Sequence, residues 1–194
     1  KVTFIKLMLI YQKQRGILDT LQKLLLIKEY LYLLAGINPT MAESFNKKIC
    51  ILGLGYVGLP LALAFSKKYK TIGFDIDQNK INSLKKGNDI EGQFSKKQII
   101  NHKNLNFSYI PHDMDFSDFY IIAVPTPINN KNKPNLEYLY KACKLVGQRK
   151  FRNSTIIFES TVYPGLTEEI CIPLIEKISK KKWKKDFFIG YSPE

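Results

Sequence analysis

Three glycines with the spacing G-x-G-x-x-G follow directly on the apolar run of residues 49–52. Each glycine meets a different steric demand at a strand-to-helix junction. Gly53 permits a tight turn, Gly55 lets a pyrophosphate approach the backbone, and Gly58 lets the helix pack closely on the strand. The N-terminus of the helix presents free N–H groups and a positive dipole end to an anion. The pattern therefore predicts a phosphate-binding turn, although glycines at this spacing occur in many unrelated proteins.

An acidic residue follows at the spacing that a dinucleotide site requires. Asp75 ends a second strand-like segment, residues 71–75, and lies 22 residues after Gly53. A carboxylate there accepts hydrogen bonds from the adenosine ribose hydroxyls and repels a 2′-phosphate, so the sequence favours NAD over NADP. The alternative role for Asp75 is to cap the next helix. Lys80 either contacts the same ribose or a phosphate, or is a solvated lysine on that helix.

Strand-like and helix-like segments alternate from residue 47 onward, which predicts an α/β fold, a Rossmann-like doubly wound parallel sheet. The predicted strands are residues 48–52, 71–75, 105–109, 119–124, 155–159 and 187–191. The predicted helices are residues 56–68, 78–86, 96–101, 135–148 (with Asn135 as N-cap) and 165–179. We therefore expect a dinucleotide-binding domain over residues 47–194.

Residues 1–46 differ from the rest of the chain, because they carry no recognisable site and show helical apolar spacing over residues 17–35. Since the chain begins with Lys1 and Met41 stands just before the first strand, we expect residues 1–40 to be upstream sequence that is not native to the domain. The alternative is a genuine N-terminal helix that packs on the domain or on a partner.

In doubly wound sheets, ligands bind outside the carboxyl ends of the strands. After the fourth strand, Pro125 and Thr126 form a stiff turn that would border the nicotinamide side of the cleft. Thr161 follows the fifth strand, and Glu194 follows the sixth. Each of these residues alone is compatible with ordinary loop structure, but three such segments at one sheet edge predict a site.

Composition excludes several other classes of function. The chain of 194 residues carries a net charge of +13, almost all of it from lysine, and we expect this charge to be solvated rather than to bind nucleic acid. No apolar run reaches membrane-spanning length, so no membrane association is expected. The three cysteines have neither disulfide nor metal-ligand spacing, which fits a cytoplasmic location. His102 and His112 lie in polar segments, where we expect them to be exposed to solvent.

Five segments in order, GLGYVGLPLA, GFDID, VPTP, ESTVYPG-TEE and GYSPE, closely resemble the N-terminal NAD-binding domain of the UDP-glucose/GDP-mannose dehydrogenase family. The last two segments look most like the branch that oxidises UDP-N-acetylhexosamines, such as UDP-N-acetylglucosamine or UDP-N-acetylgalactosamine 6-dehydrogenase. Those enzymes make uronates for capsule or O-antigen polysaccharide, and the full-length enzymes are homo-oligomers. The resemblance covers residues 48–194.

The resemblance also implies a role for each matching residue. A first group would hold the NAD pyrophosphate, namely Gly53, Gly55, Tyr56, Val57 and Gly58. Asp75 and Lys80 would bind the adenosine ribose, and Pro125, Thr126 and Thr161 would contact the cofactor. Thr161 would also lie near the reacting carbon, and Glu194 would lie where the UDP-sugar substrate meets the nicotinamide.

In the family, the nucleophilic cysteine and most of the UDP-sugar site lie in a later part of the chain, so we expect this chain to bind NAD without completing the reaction. Two alternatives stay open. The substrate of the enzyme is UDP-glucose or GDP-mannose, or the chain is a non-catalytic dinucleotide-binding module.

Overall fold

The computed structural model of the chain describes residues 47–127, 134–159 and 165–191. Residues 17–35 and Met41 lie outside these ranges, and so do two residues that the sequence places in the site, Thr161 and Glu194.

Six parallel strands form one sheet in the described residues, in the spatial order β3-β2-β1-β4-β5-β6. The strands are β1 (Lys48–Leu52), β2 (Lys70–Phe74), β3 (Leu105–Ser108), β4 (Phe119–Ile122), β5 (Ser154–Phe158) and β6 (Phe187–Tyr191). From β1 in the middle of the sheet, the described chain runs to one edge and then crosses back to the other half. This order confirms the predicted doubly wound architecture, and it puts a crevice at the carboxyl ends of β1 and β4, where the order reverses.

Helices connect the strands and cover the sheet. They are α1 (Gly58–Phe65), α2 (Gln78–Lys85), α3 (Lys96–Ile100), α4 (Glu137–Gly147) and α5 (Ile172–Ser179), with a 3₁₀ turn at Pro111–Met114 and a π-helical turn at Thr167–Cys171. Pro60 is the third residue of α1, where the missing N–H removes no hydrogen bond within the helix. Gly87 follows α2 with φ of +79°, which is the left-handed geometry that ends many helices.

Two hydrophobic cores lie on opposite faces of the sheet, and alternation along β1 separates them. Ile49 and Ile51 belong to the core that includes residues of α1, α2 and α3, whereas Cys50 and Leu52 belong to the core that includes residues of α4 and α5. All four side chains are at most 2% exposed. Burying one large aliphatic side chain contributes about 1.5–3 kcal/mol, so the two-sided burial of the strands fixes the sheet and the position of its crevice.

Polar contacts stabilise the amino-terminal ends of the strands, opposite the crevice. The Lys48 ammonium donates hydrogen bonds to the backbone carbonyls of Asp113 and Asp115 at 2.8 and 2.7 Å. The Asp115 carboxylate accepts a hydrogen bond from the Lys150 N–H at 3.1 Å and lies 3.6 Å from Arg149 Nη1. Burial opposes ionisation of Asp115, but the hydrogen bonds from the Lys150 N–H and the His112 ring, together with the charge of Arg149, outweigh it, and the pKa of this carboxyl lies below its ordinary value.

Some predicted details were wrong. Asn135 is not the N-cap of α4, because Leu136 takes that position, although Asn135 Oδ1 accepts a hydrogen bond from the Glu137 N–H at 3.0 Å. His102 is only half-exposed, since its Nδ1 lies 2.7 Å from the hydroxyl of buried Ser66. Burial lowers the pKa of His102. His112 is exposed, as predicted.

None of the helices in the described ranges has the length and hydrophobicity needed to cross a bilayer.

Candidate cofactor-binding site

The glycine turn after β1 is built as its spacing predicts. Gly53 has φ of +91°, a left-handed conformation that a side chain would strain, and its N–H donates to the Phe74 carbonyl at 2.9 Å. A Cβ on Gly58 would lie 1.7 Å from the Gly53 carbonyl oxygen, so only glycine allows α1 to approach β1 this closely. The turn and the start of α1 are thereby fixed against each other.

Gly55 differs from these two glycines because it is open to the cleft. A Cβ built on Gly55 has no atom within 4 Å. No side chain caps the start of α1, and its first turn contains no acidic residue. The start of α1 therefore offers its positive dipole end to an anion, and no carboxylate of its own first turn competes for that position. The space beside Gly55 is therefore open to an anionic group such as a pyrophosphate.

Asp75 lies immediately after β2 and contacts the glycine turn. Its Oδ2 accepts a hydrogen bond from the Leu54 N–H at 2.9 Å, and its Oδ1 accepts one from the Asp77 N–H at 3.0 Å. The cap of α2 is Asp77, whose Oδ1 accepts hydrogen bonds from the N–H groups of Asn79 and Lys80. The helix-capping alternative for Asp75 is therefore wrong, and its carboxylate is held between the turn and the cleft.

Lys80 lines the cleft, but it is not a freely solvated lysine. Its ammonium lies 3.2 Å from Glu91 Oε1, in an ion pair whose side chains are 20% and 27% exposed. Glu91 comes from the connection between α2 and α3, a polar stretch in which the sequence indicated no site residue. The structure thus adds Glu91, beside Lys80, to the residues that line the cleft.

A cleft of about 590 Å³ joins these parts into one site. On the β1 and β2 side it is lined by the glycine turn, by Asp75 and by Lys80, and on the β4 side by Pro125 and Thr126. Besides Glu91, the same cleft brings in four polar residues that sequence reasoning missed, namely Asp77, Tyr138, Lys141 and Glu159. Helix α4 was predicted, but the helical pattern alone does not reveal that Tyr138 and Lys141 border the crevice.

Glu159 follows β5 directly and is buried, with 7% of its surface exposed. It lies in the segment ESTVYPG, which carried part of the resemblance, yet only Thr161 of that segment was predicted as a site residue. A buried carboxylate at the carboxyl end of a strand, in a cleft, is a candidate functional group. The positions of Thr161 and Glu194 in the site remain predictions from the sequence.

The cysteines do not form part of the cleft. Cys50, Cys143 and Cys171 are free and buried, and burial raises the pKa of the Cys50 thiol. A hydrogen bond to Cys171, together with burial, raises the pKa of the Cys143 thiol. Because a thiolate is the reactive form of cysteine, Cys50 and Cys143 are poorly suited to act as nucleophiles. The hydrogen bond with Cys143 lowers the pKa of the Cys171 thiol, but Cys171 is buried and does not line the cleft.

Fold and site together define a class. A six-stranded parallel sheet in this order, a glycine turn open at Gly55 and an acid after β2 are the features of a Rossmann-type dinucleotide-binding domain. Residues 47–194 match the UDP-glucose/GDP-mannose dehydrogenase family, NAD binding domain. The chain therefore belongs to the UDP-glucose/GDP-mannose dehydrogenase family, and its cofactor is NAD.

Individual relatives agree with this membership. The chain is 47% identical over 151 residues to protein CapL of Staphylococcus aureus, covering 77% of this chain and 35% of CapL. It is 43% identical over 147 residues to UDP-N-acetyl-D-glucosamine 6-dehydrogenase of Salmonella typhi, covering 76% and 35%. A solved ternary complex of GDP-mannose dehydrogenase from Pseudomonas aeruginosa superposes with a TM-score of 0.70 at 31% identity, covering 75% and 36%. The chain thus spans about a third of the length of these relatives.

Proposed function

We propose that this chain is the NAD-binding part of a nucleotide-sugar 6-dehydrogenase that oxidises a UDP-N-acetylhexosamine to the uronate, a precursor of surface polysaccharide such as capsule or O-antigen. The single observation that carries the proposal is the cleft at the reversal of the strand order, which combines the open Gly55 backbone with the Asp75 carboxylate. The 43% sequence identity to UDP-N-acetyl-D-glucosamine 6-dehydrogenase of Salmonella typhi supports the choice of substrate. The three free cysteines support a cytoplasmic location.

The residues around the cleft fit NAD part by part. The pyrophosphate would lie beside Gly55 at the start of α1, where a Cβ would otherwise occupy the space. The ribose hydroxyls would donate to Asp75, whose carboxylate is already oriented by two backbone N–H groups. Pro125 and Thr126 would border the nicotinamide side. NAD held by these residues would supply the hydride acceptor for oxidation at the sugar C6 carbon.

This arrangement separates cofactor binding from the catalytic steps. The described residues orient the dinucleotide, and they contain no exposed cysteine that could form a thiohemiacetal. We propose that Thr161 and Glu194 complete the site on the substrate side, and that the cysteine nucleophile and most of the sugar site come from outside this chain. The chain alone then binds NAD but does not turn it over.

A domain exchange tests the proposal. Residues 47–194 would replace the matching segment of the Salmonella typhi UDP-N-acetyl-D-glucosamine 6-dehydrogenase, and NADH would be followed by absorbance with UDP-N-acetylglucosamine. We expect two NADH per sugar from the chimera and no turnover from the isolated chain. A chimera that folds and binds NAD but forms no NADH with any UDP-N-acetylhexosamine would contradict the proposal, and so would sustained turnover by the isolated chain.

A further inference from the structure

We propose that Glu91 is a positioning residue that determines cofactor specificity. The ribose end of the described cleft is the part lined by Asp75, Asp77, Lys80 and Glu91. By pairing with Lys80, Glu91 keeps the only lysine of this group from binding a 2′-phosphate. The inference rests on the proposed NAD-binding function and extends it to a residue that the glycine motif and its acid do not include.

The ion pair lies where a dinucleotide ribose would bind. Lys80 Nζ and Glu91 Oε1 are 3.2 Å apart, and both residues line the cleft together with Asp75 and Asp77. Since both side chains are mostly buried, this pair is screened less by water than a pair at an open surface. The pair therefore fixes the position of the Lys80 ammonium.

The loop that carries Glu91 is ordered independently of the ion pair. The Asp89 carboxylate accepts hydrogen bonds from the backbone N–H groups of Glu91, Gln93 and Phe94 at 3.0, 2.8 and 3.1 Å. The Gln93 side chain then donates to the carbonyl of Tyr56 at 3.4 Å, which ties the loop to the glycine turn. Because these contacts do not involve the Glu91 carboxylate, the charge of Glu91 can be removed without dismantling the loop.

The charges at this end of the cleft disfavour a phosphate. Asp75, Asp77 and Glu91 contribute three carboxylates and Lys80 contributes one ammonium, which gives a net charge of −2. Sites that accept a 2′-phosphate use a free cation at this position. Lys80 has the charge and the location for that role, but Glu91 already neutralises it. Removing the Glu91 charge leaves Lys80 available to a 2′-phosphate.

The test measures the dissociation constants of NAD and NADP by calorimetry for the chain and for Glu91→Gln, which keeps the shape of the side chain. We expect the ratio of the NADP constant to the NAD constant to fall by about fivefold in Glu91→Gln. Glu91→Asp, which retains the charge, should restore most of the discrimination. Adding Lys80→Met to Glu91→Gln should abolish the gain in NADP affinity, a result that a purely structural role of Glu91 would not produce.

The matched control is Glu176→Gln, which removes a carboxylate from another glutamate–lysine pair, with Lys182 at 3.5 Å, outside the cleft lining. This variant should leave the ratio unchanged. NAD binding with an unaltered ratio in Glu91→Gln would overturn the inference but not the proposed function, and so would a gain that survives Lys80→Met. If the folded wild-type chain bound neither dinucleotide, both would be overturned.

Discussion

The glycine turn makes a prediction in which two neighbouring substitutions separate folding from binding. Gly58→Ala places a methyl group where a Cβ would lie 1.7 Å from the Gly53 carbonyl oxygen, far below the 3.0 Å that real Cβ atoms keep. Gly55→Ala places the same methyl group in open space, with no atom within 4 Å. The first change should damage the fold, and the second should damage only cofactor binding.

The expected size of the Gly58 effect combines three contributions. Forcing a methyl group into a packed site costs about 1–3 kcal/mol. Moving the turn to relieve the clash would weaken the hydrogen bond from the Gly53 N–H to the Phe74 carbonyl, worth about 1 kcal/mol. The better helix propensity of alanine offsets about 1 kcal/mol of this loss. Gly58→Ala should therefore lower the free energy of unfolding by about 2 kcal/mol.

Gly55→Ala should behave in the opposite way. Gly55 does not have a positive φ, so alanine adopts its conformation without strain, and its stability should lie within about 1 kcal/mol of wild type. The methyl group would occupy the space of the pyrophosphate, and a misfit of about 1–3 kcal/mol there lowers NAD affinity by about 5-fold to 150-fold.

Urea denaturation gives the free energy of unfolding of both variants, and calorimetry gives their NAD affinity. The reasoning would be refuted if Gly58→Ala were as stable as wild type, or if Gly55→Ala bound NAD with unchanged affinity. Gly92→Ala is not a suitable control, because Gly92 has φ of +73° and its substitution introduces strain of its own.

Two further predictions concern the amino-terminal ends of the strands, opposite the crevice. Asp115→Asn should cost about 2 kcal/mol at pH 7 by weakening the contacts with Lys150 and Arg149. Because the pKa of Asp115 is lowered in the folded state, this stabilisation is present above about pH 4 and is lost as the pH falls through the lowered pKa. The prediction would be contradicted if the difference in unfolding free energy between wild type and Asp115→Asn stayed constant into acid. Phe116 has φ of +57° and is 70% exposed, so Phe116→Gly should raise the free energy of unfolding by about 1 kcal/mol. The control Phe188→Gly in β6 should lower it. Thermal melts in which Phe188→Gly is the more stable variant would count against strain at Phe116.

Much of the sheet followed from the sequence because its strands are short apolar runs buried on both faces. The predicted bounds of β1 and β6 agree with the structure, and the other four strands differ by one or two residues. Helix ends were less predictable. Residues 66–68 continue the helical pattern of α1, but Lys67 and Lys68 donate to carbonyls three residues earlier, so the helix ends in a tighter turn.

The roles of Asp75 and Asp77 show why the site could not be fully predicted from the sequence. Both acids stand before α2, and the role of each depends on where the helix begins, which sequence patterns locate only to within one or two residues. The structure assigns the cap to Asp77 and leaves Asp75 to contact the glycine turn.

Glu91 was missed for a different reason. Its contact with Lys80 spans 11 residues and depends on how the Asp89 carboxylate folds the intervening loop. One signal was available, since an aspartate followed three residues later by glycine favours such a turn. That signal predicts a turn but gives no direction for the glutamate side chain, which only the tertiary structure supplies.

The central claim is that the carboxylate of Asp75 and the open backbone at Gly55 together bind NAD, and calorimetric titration of NAD into the wild-type chain and into Asp75→Asn tests it most directly. The account predicts one NAD per wild-type chain and an affinity lower by about tenfold or more in Asp75→Asn, because hydrogen bonds to a charged acceptor contribute about 1.5–3 kcal/mol. A folded wild-type chain that does not bind NAD, or an Asp75→Asn variant that binds it equally well, would contradict the account.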